Sequence, residues 1–237
     1  MRFVVFLVVT AMLLAGVQAH ANPNSLHVGT DSGLVVFVLD QVAADKSRAD
    51  SSDGNTVADA LFFLTIGPID LQTHAVTYNS WTGNAGTTVR TDPKSGVTLI
   101  TTQVKAGDYA IYSQTVQRNW ADCFDIETAS FHVAPGSINY IGNYNPFPAS
   151  LRIFRAVKNG QMPQSSQVGT QQEITGDILQ GLVPAAEVPG GADIVKAALA
   201  GIKPGIYGKP FVLTEPIVTR TNLVLGGANI YNYRCPI

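Results

Sequence analysis

Phe131-His132-Val133-Ala134-Pro135-Gly136-Ser137-Ile138-Asn139-Tyr140-Ile141-Gly142 is the stretch whose reading decides the fold class. Strand alternation puts Ala129, Phe131 and Val133 on one face and Ser130 and His132 on the other. Ala134-Pro135-Gly136-Ser137 carries turn chemistry, because Pro presets φ and Gly accepts a positive one. Ile138 to Gly142 then reads as a return strand, so the pattern predicts a β-hairpin from Ile126 to Gly142. On this reading Phe131 and Val133 are core, Ile141 lies across the turn, and His132 faces away.

Upstream, Leu34 to Leu39 and Leu61 to Ile66 are continuous β-branched and aromatic runs of strand length. Such runs imply strands buried on both faces. The Asp-, Ser- and Ala-rich segment Asp40 to Asp59 reads as a long polar loop. Gly67-Pro68 ends the second run, and Leu71 to Tyr78 alternates as a third strand. Trp81 to Gly96 is rich in Gly, Thr and Asn and holds the turn signal Asp92-Pro93. Val97 to Val104 and the aromatic segment from Tyr109 to Tyr112 follow as strands, with Tyr109 in the place of a tyrosine corner. Downstream, Leu151 to Val157 reads as one more strand. Thr170 with Glu173 fits a capping box, and Ile174, Ile178, Leu179 and Leu182 recur at helical spacing. Ala192 to Ala200 reads as a second short helix, with Pro204 beyond it. Phe211 to Leu213 and Ile217 to Leu225 return to strand chemistry.

The fold class predicted is therefore mainly β: an antiparallel β-sandwich with one or two short helices in the C-terminal third. A single domain over 22–237, with a helical insertion at about 170–201, accommodates every segment.

Two stretches carry a resemblance. Val104-Lys105-Ala106-Gly107-Asp108-Tyr109-Ala110-Ile111-Tyr112 resembles the Gly-x-Tyr strand of a group of uncharacterised bacterial envelope proteins, many of them lipoproteins. Phe131 to Gly142 is similar to the Phe-x-Val-x-Pro-Gly-x-x-x-Tyr-Ile-Gly segment of the same group. The match spans about 40 of 237 residues and rests on turn and core positions. It implies an immunoglobulin-like or transthyretin-like sandwich and an envelope location, and it carries over no catalytic residue.

The N-terminal segment points the same way. Arg2 supplies a positive n-region, Phe3 to Leu14 an apolar h-region, and Val17-Gln18-Ala19 or Ala19-His20-Ala21 a small-residue cleavage site. Residues 1–21 are read as a secretory signal, too short for a membrane span. Val17 stands where a lipoprotein needs cysteine, which excludes lipid anchoring by that route. The expectation is a chain exported to the periplasm or medium and soluble after cleavage, without membrane insertion of the mature part.

The formal charge is -2, and removing Arg2 leaves it near -3. With no Lys/Arg cluster, nucleic acid and anionic membranes are poor partners. Cys123 and Cys235 are the two cysteines, and in an exported chain an even pair implies one disulfide. Closing a loop of that length is worth up to about 4.7 kcal/mol.

Chemistry is sparse. Thr30-Asp31-Ser32-Gly33 contains Asp-Ser-Gly without a second copy, and reads as a polar turn. His27, His74 and His132 lack metal-ligand spacing, and Asp50 to Asn55 lacks the alternation and closing Glu of a calcium loop. Phosphate-loop and nucleophile-elbow motifs are absent. Trp81 and Trp120 are candidates for stacking on a sugar or partner. No catalytic residue, metal ligand or cofactor is assigned. The reading is an exported, non-enzymatic binding module for an envelope protein or glycan. The alternative is a secreted hydrolase with a dispersed acidic or Ser/His site, which needs two carboxylates about 5–9 Å apart or an activated serine.

Overall fold

The apolar run Leu34 to Leu39 forms the strand around which one sheet is built. In the computed structural model, which describes residues 26–50, 62–78, 85–86, 88–116, 120–161, 172–206, 208–219 and 222–225, this run lies in β1 (Ser32–Leu39). The chain continues through α1 (Gln41–Ala49), β2 (Phe62–Asp70), β3 (Ala75–Tyr78), β4 (Ala85–Gly86), β5 (Thr88–Thr91), β6 (Thr98–Lys105) and β7 (Gly107–Val116). β8 (Trp120–Val133), β9 (Ile138–Tyr144) and α2 (Phe147–Lys158) follow. After them come β10 (Gln172–Asp177), β11 (Leu182–Pro184), α3 (Gly191–Ile202), β12 (Phe211–Leu213), β13 (Ile217–Thr219) and β14 (Asn222–Leu225).

Among the described residues strand exceeds helix, so the chain is mainly β, and its two sheets form the expected sandwich. The first sheet runs β11-β9-β1-β6-β5, with β12 also on β9. The second runs β10-β8-β7-β2-β3-β14, with β13 on β8 and β4 on β2. Most pairings are antiparallel. Those of β1 with β9, β8 with β10, β9 with β12 and β3 with β14 run parallel.

β1 is buried on both faces, as its unbroken apolar run predicts. Val35 and Phe37 enter the core between the sheets with Leu64, Ile66, Ile111, Phe124, Phe131, Val133 and Ile141. Leu34 and Val36 face the other way and meet Leu99, Tyr140 and the α3 residues Val195, Ala198 and Leu199. The first sheet therefore has an apolar layer on each side, and α3 covers the outer one.

The Pro135-Gly136 turn does not make a hairpin. β8 and β9 lie in opposite sheets, and the turn between them is an arch across the sandwich. The face assignment holds: Phe131, Val133 and Ile141 share one core, but they meet across the gap between sheets. Local hydrogen bonds explain the switch. The Asn139 side chain accepts from Ala134 N at 3.0 Å and donates to Ser137 O at 3.3 Å. The start of β1 completes the arch, with Leu34 N on Ser137 O at 2.9 Å and Gly136 N on Ser32 O at 3.0 Å. Gly33 permits this approach, since a Cβ there would lie 2.6 Å from Asn139 Nδ2. Gly142 has φ +152°, and a Cβ on it would collide with the Val183 carbonyl of β11.

Four local readings are corrected. β2 does not end at Gly67-Pro68 but runs on to Asp70, with Gly67 paired to Ala110 and Pro68 to Tyr109 on β7. Leu151 to Val157 is helix, not strand, because its buried face is Phe147, Ala149, Ser150, Ile153 and Ala156 at three- and four-residue spacing. Pro148 in the first turn and the Asn145 side chain, which accepts from Phe147 N at 3.0 Å, start that helix. Gln172 to Asp177 is strand, not helix, since pairing along β8 outweighs the local capping signal; Thr170 lies outside the described residues. Within Asp40 to Asp59, Gln41 to Ala49 is helix rather than loop. Asp40 Oδ1 caps it by accepting from Ala43 N at 2.8 Å, and Ala44 packs on Phe147. By contrast, Ala192 to Ala200 is helical as expected, within α3.

Phe131 is 3% exposed, with Phe37 edge-on at 6.4 Å and Tyr109 stacked at 6.5 Å. Phe131→Ala is expected to cost about 3–5 kcal/mol in urea unfolding. His132→Ala removes only a solvent-facing pair and is expected to cost under about 1 kcal/mol. Equal losses would contradict the placement of these neighbours on opposite faces.

Candidate functional site

Three polar or concave places are built by these elements. The first is a pair on the solvent face of the second sheet. β7 and β8 set Asp108 opposite His132, and His132 Nδ1 lies 2.8 Å from Asp108 Oδ1. Their side chains are 65% and 36% exposed for His132 and Asp108. Ser130 lies two positions from His132 on the same strand, but it is buried and its hydroxyl donates to Ile217 O of β13 at 3.2 Å. The Asp–His pair is thus a cross-strand surface pair, and the nearest serine has its hydroxyl committed elsewhere.

The second place is a polar clamp under α2. Tyr144 Oη donates to Gln114 Oε1 at 2.5 Å. Gln114 Nε2 donates to Ser150 Oγ at 2.8 Å and to Pro146 O at 3.0 Å. Alongside, Arg152 Nε donates to Asp122 Oδ2 at 2.8 Å, with Nη2 at 2.6 Å from the same oxygen. Arg152 Nη1 donates to Gln180 Oε1 at 2.7 Å. Gln114 and Asp122 are wholly buried and adjacent in the β7–β8 register. Burial, reinforced by the Asp122 charge, holds the Tyr144 hydroxyl far above its ordinary pKa, so it stays protonated and acts as a donor. An anion paired to a guanidinium and a phenol locked as a donor supply no free base. The group fastens α2 to the sheet. The cleft above it, about 320 Å³, is lined by Asp50, Phe147, Pro148, Leu151, Arg152, Arg155 and Gln180.

The third place is a pocket of about 300 Å³ where α3 meets the edge of the first sheet. β12 runs parallel to β9 and sets Phe211 beside Ile138. Leu199 of α3 and Ile206 of the turn after it complete an apolar interior. Gly208 and the exposed Lys196 and Lys209 form the rest of its lining. Lys196 Nζ stands 4.9 Å from the centre of the Phe211 ring, a cation–π contact.

The residues singled out in the sequence lie apart from this pocket. Ser32 of the Asp-Ser-Gly turn accepts from Gly29 N and Gln103 Nε2, each at 3.1 Å, as a turn residue does. His27 is exposed before β1, and His74 is exposed with φ 58° in the β2–β3 turn. Among the described residues no group of three or more His, Cys, Asp or Glu is placed to hold a metal. Cys123 is buried in β8, in register with Ser113 and Thr175. Cys235, Trp81, the side chain of Trp120 and residues 51–55 lie outside the described residues. Tyr109 stacks on Phe131. Lys196, Lys209 and Phe211 were not legible as a site: they come from a helix, a loop and a strand, and only the fold brings them together. Among the described residues no helix is long and apolar enough to cross a membrane.

Comparison with protein-family models, curated proteins and solved structures finds no match to this chain.

Arg152→Met leaves the buried Asp122 carboxylate without its guanidinium and is expected to cost about 3–5 kcal/mol. Adding Asp122→Asn is expected to recover part of that loss, read from urea midpoints at constant m. A double variant as unstable as the sum of both singles would show that the two charges do not act as a pair.

Proposed function

We propose that this chain is an exported, non-enzymatic binding protein of the bacterial envelope or its surroundings. The observation that carries the reading is the apolar pocket of about 300 Å³ between α3 and the β9–β12 edge, with cations at its rim. Its volume falls at the small end of ligand sites, and mostly apolar walls with a few polar groups are what such sites have in common. Apolar walls favour a small apolar ligand over a glycan, which needs a denser set of hydrogen-bonding groups. Export is supported by Arg2, the Phe3–Leu14 run and the small residues from Ala15 to Ala21. The resemblance to envelope proteins in Val104–Tyr112 and Phe131–Gly142 points to the same compartment.

The binding reading is tested with octanol, an uncharged apolar probe, added to the mature protein. Amide NMR shifts are expected to concentrate at Ile138, Leu199, Ile206 and Phe211; shifts scattered over the surface, or none, would overturn it.

The compartment is tested by the thiols and the mature mass. An exported chain is expected to start near His20 or Asn22 and to yield a Cys123–Cys235 linked peptide under non-reducing digestion. A membrane-held product that retains the apolar N-terminal run would argue against cleavage and soluble release, and two thiols that alkylate in the native protein would argue against pairing.

A further inference from the structure

We infer that the α3–β12 pocket takes a small single-chain amphiphile with an anionic head. This rests on the reading of that site as a binding pocket. The body would lie against Ile138, Leu199, Ile206 and Phe211, and the head at Lys196 and Lys209.

The charge of the head follows from the lining. Among the described residues its two ionisable side chains are both lysines, and none of the described lining residues carries a carboxylate. Neither lysine forms an ion pair among the described residues. The Phe211 ring holds the Lys196 ammonium at the aromatic wall. Two cations beside apolar walls attract an anion more strongly than they would in open water, because the walls lower the local dielectric. The same arrangement repels an ammonium head. The size of the body follows from the volume: about 300 Å³ suits one short chain or one ring.

Octanoate, octanol and octylamine share one tail and differ in head charge. Calorimetric titration is expected to show octanoate binding about fivefold more tightly than octanol, the scale of two partly solvated ion pairs, and octylamine most weakly. The Lys196→Gln/Lys209→Gln variant is expected to abolish the roughly fivefold preference for octanoate over octanol, so that the two bind alike. Raising the salt on the unmodified protein is expected to weaken octanoate selectively, which gives the same answer if the variant folds poorly. Octanoate and octanol binding equally, or octylamine binding best, would overturn the anionic head and leave the binding reading intact. No binding by any of the three would overturn both. Tight binding to phosphatidylglycerol vesicles with no octanoate binding would place the charge at a membrane surface and overturn the free amphiphile.

Discussion

β1 has apolar side chains on both faces, and a strand of that kind is stable only where both faces are covered. Each such side chain contributes about 1.5–3 kcal/mol when fully buried. Val35 and Phe37 need the second sheet, and Leu34 and Val36 need something outside the first. The strand must also be paired along both edges, which β6 does antiparallel and β9 does parallel. A parallel partner cannot arrive by a tight hairpin. Between β1 and β9 the chain enters the second sheet twice, coming back to β5 and β6 after the first visit and to β9 through the Ala134–Ser137 arch after the second. The arch, the parallel pairing and the need for α3 are consequences of one doubly apolar strand.

That demand also places the pocket. α3 lies over Leu34, Val36, Leu99 and Tyr140 through Val195, Ala198 and Leu199. A straight helix covers the middle of a twisted sheet better than its edge. At the edge, β12 joins β9 beyond the helix, and Phe211 and Ile138 line the gap left there. Lys196 is one residue past Val195 and so stands at the side of the buried stripe, against the rim. The concavity thus lies between a layer required by the core and the strand added at the sheet's edge.

What the sequence disclosed depended on whether one segment carried the whole signal. The run at Leu34, the alternation through Phe131 and the helical spacing after Ala192 are complete within themselves and took the expected form, whereas β2 continues past the Gly67-Pro68 stop because β7 pairs along it. α2 is hidden in the sequence because the small residues Ala149, Ser150 and Ala156 form much of its buried face, while Leu151, Ile153, Phe154 and Val157 carry the bulk. Those larger residues mimic a strand run. The Phe131–Gly142 turn was misread in its pairing but not in its faces. Alternation determines which side chains point inward, while the choice between hairpin and arch depends on Asn139 and on β1, a hundred residues away. The pocket was illegible for the same reason, since Ile138, Lys196 and Phe211 are neighbours only through the β9–β12 register.

The two helices on the sheets are held by different forces, and the difference bears on where a ligand can be accepted. α2 is tied by directional bonds: Gln114 serves Tyr144, Ser150 and Pro146 at once, and Arg152 joins Asp122 to Gln180. Moving α2 by one residue would leave buried polar groups without their bonds, a loss of about 1–3 kcal/mol for each. Such a network specifies one arrangement and resists adjustment. α3 is held by Val195, Ala198 and Leu199 in apolar contact, which depends on area and shape rather than on direction. Small changes there cost contact area gradually instead of breaking bonds. The cleft beside α2 is therefore bounded by directional bonds that the fold requires, whereas the pocket beside α3 is walled by a helix held through apolar contact.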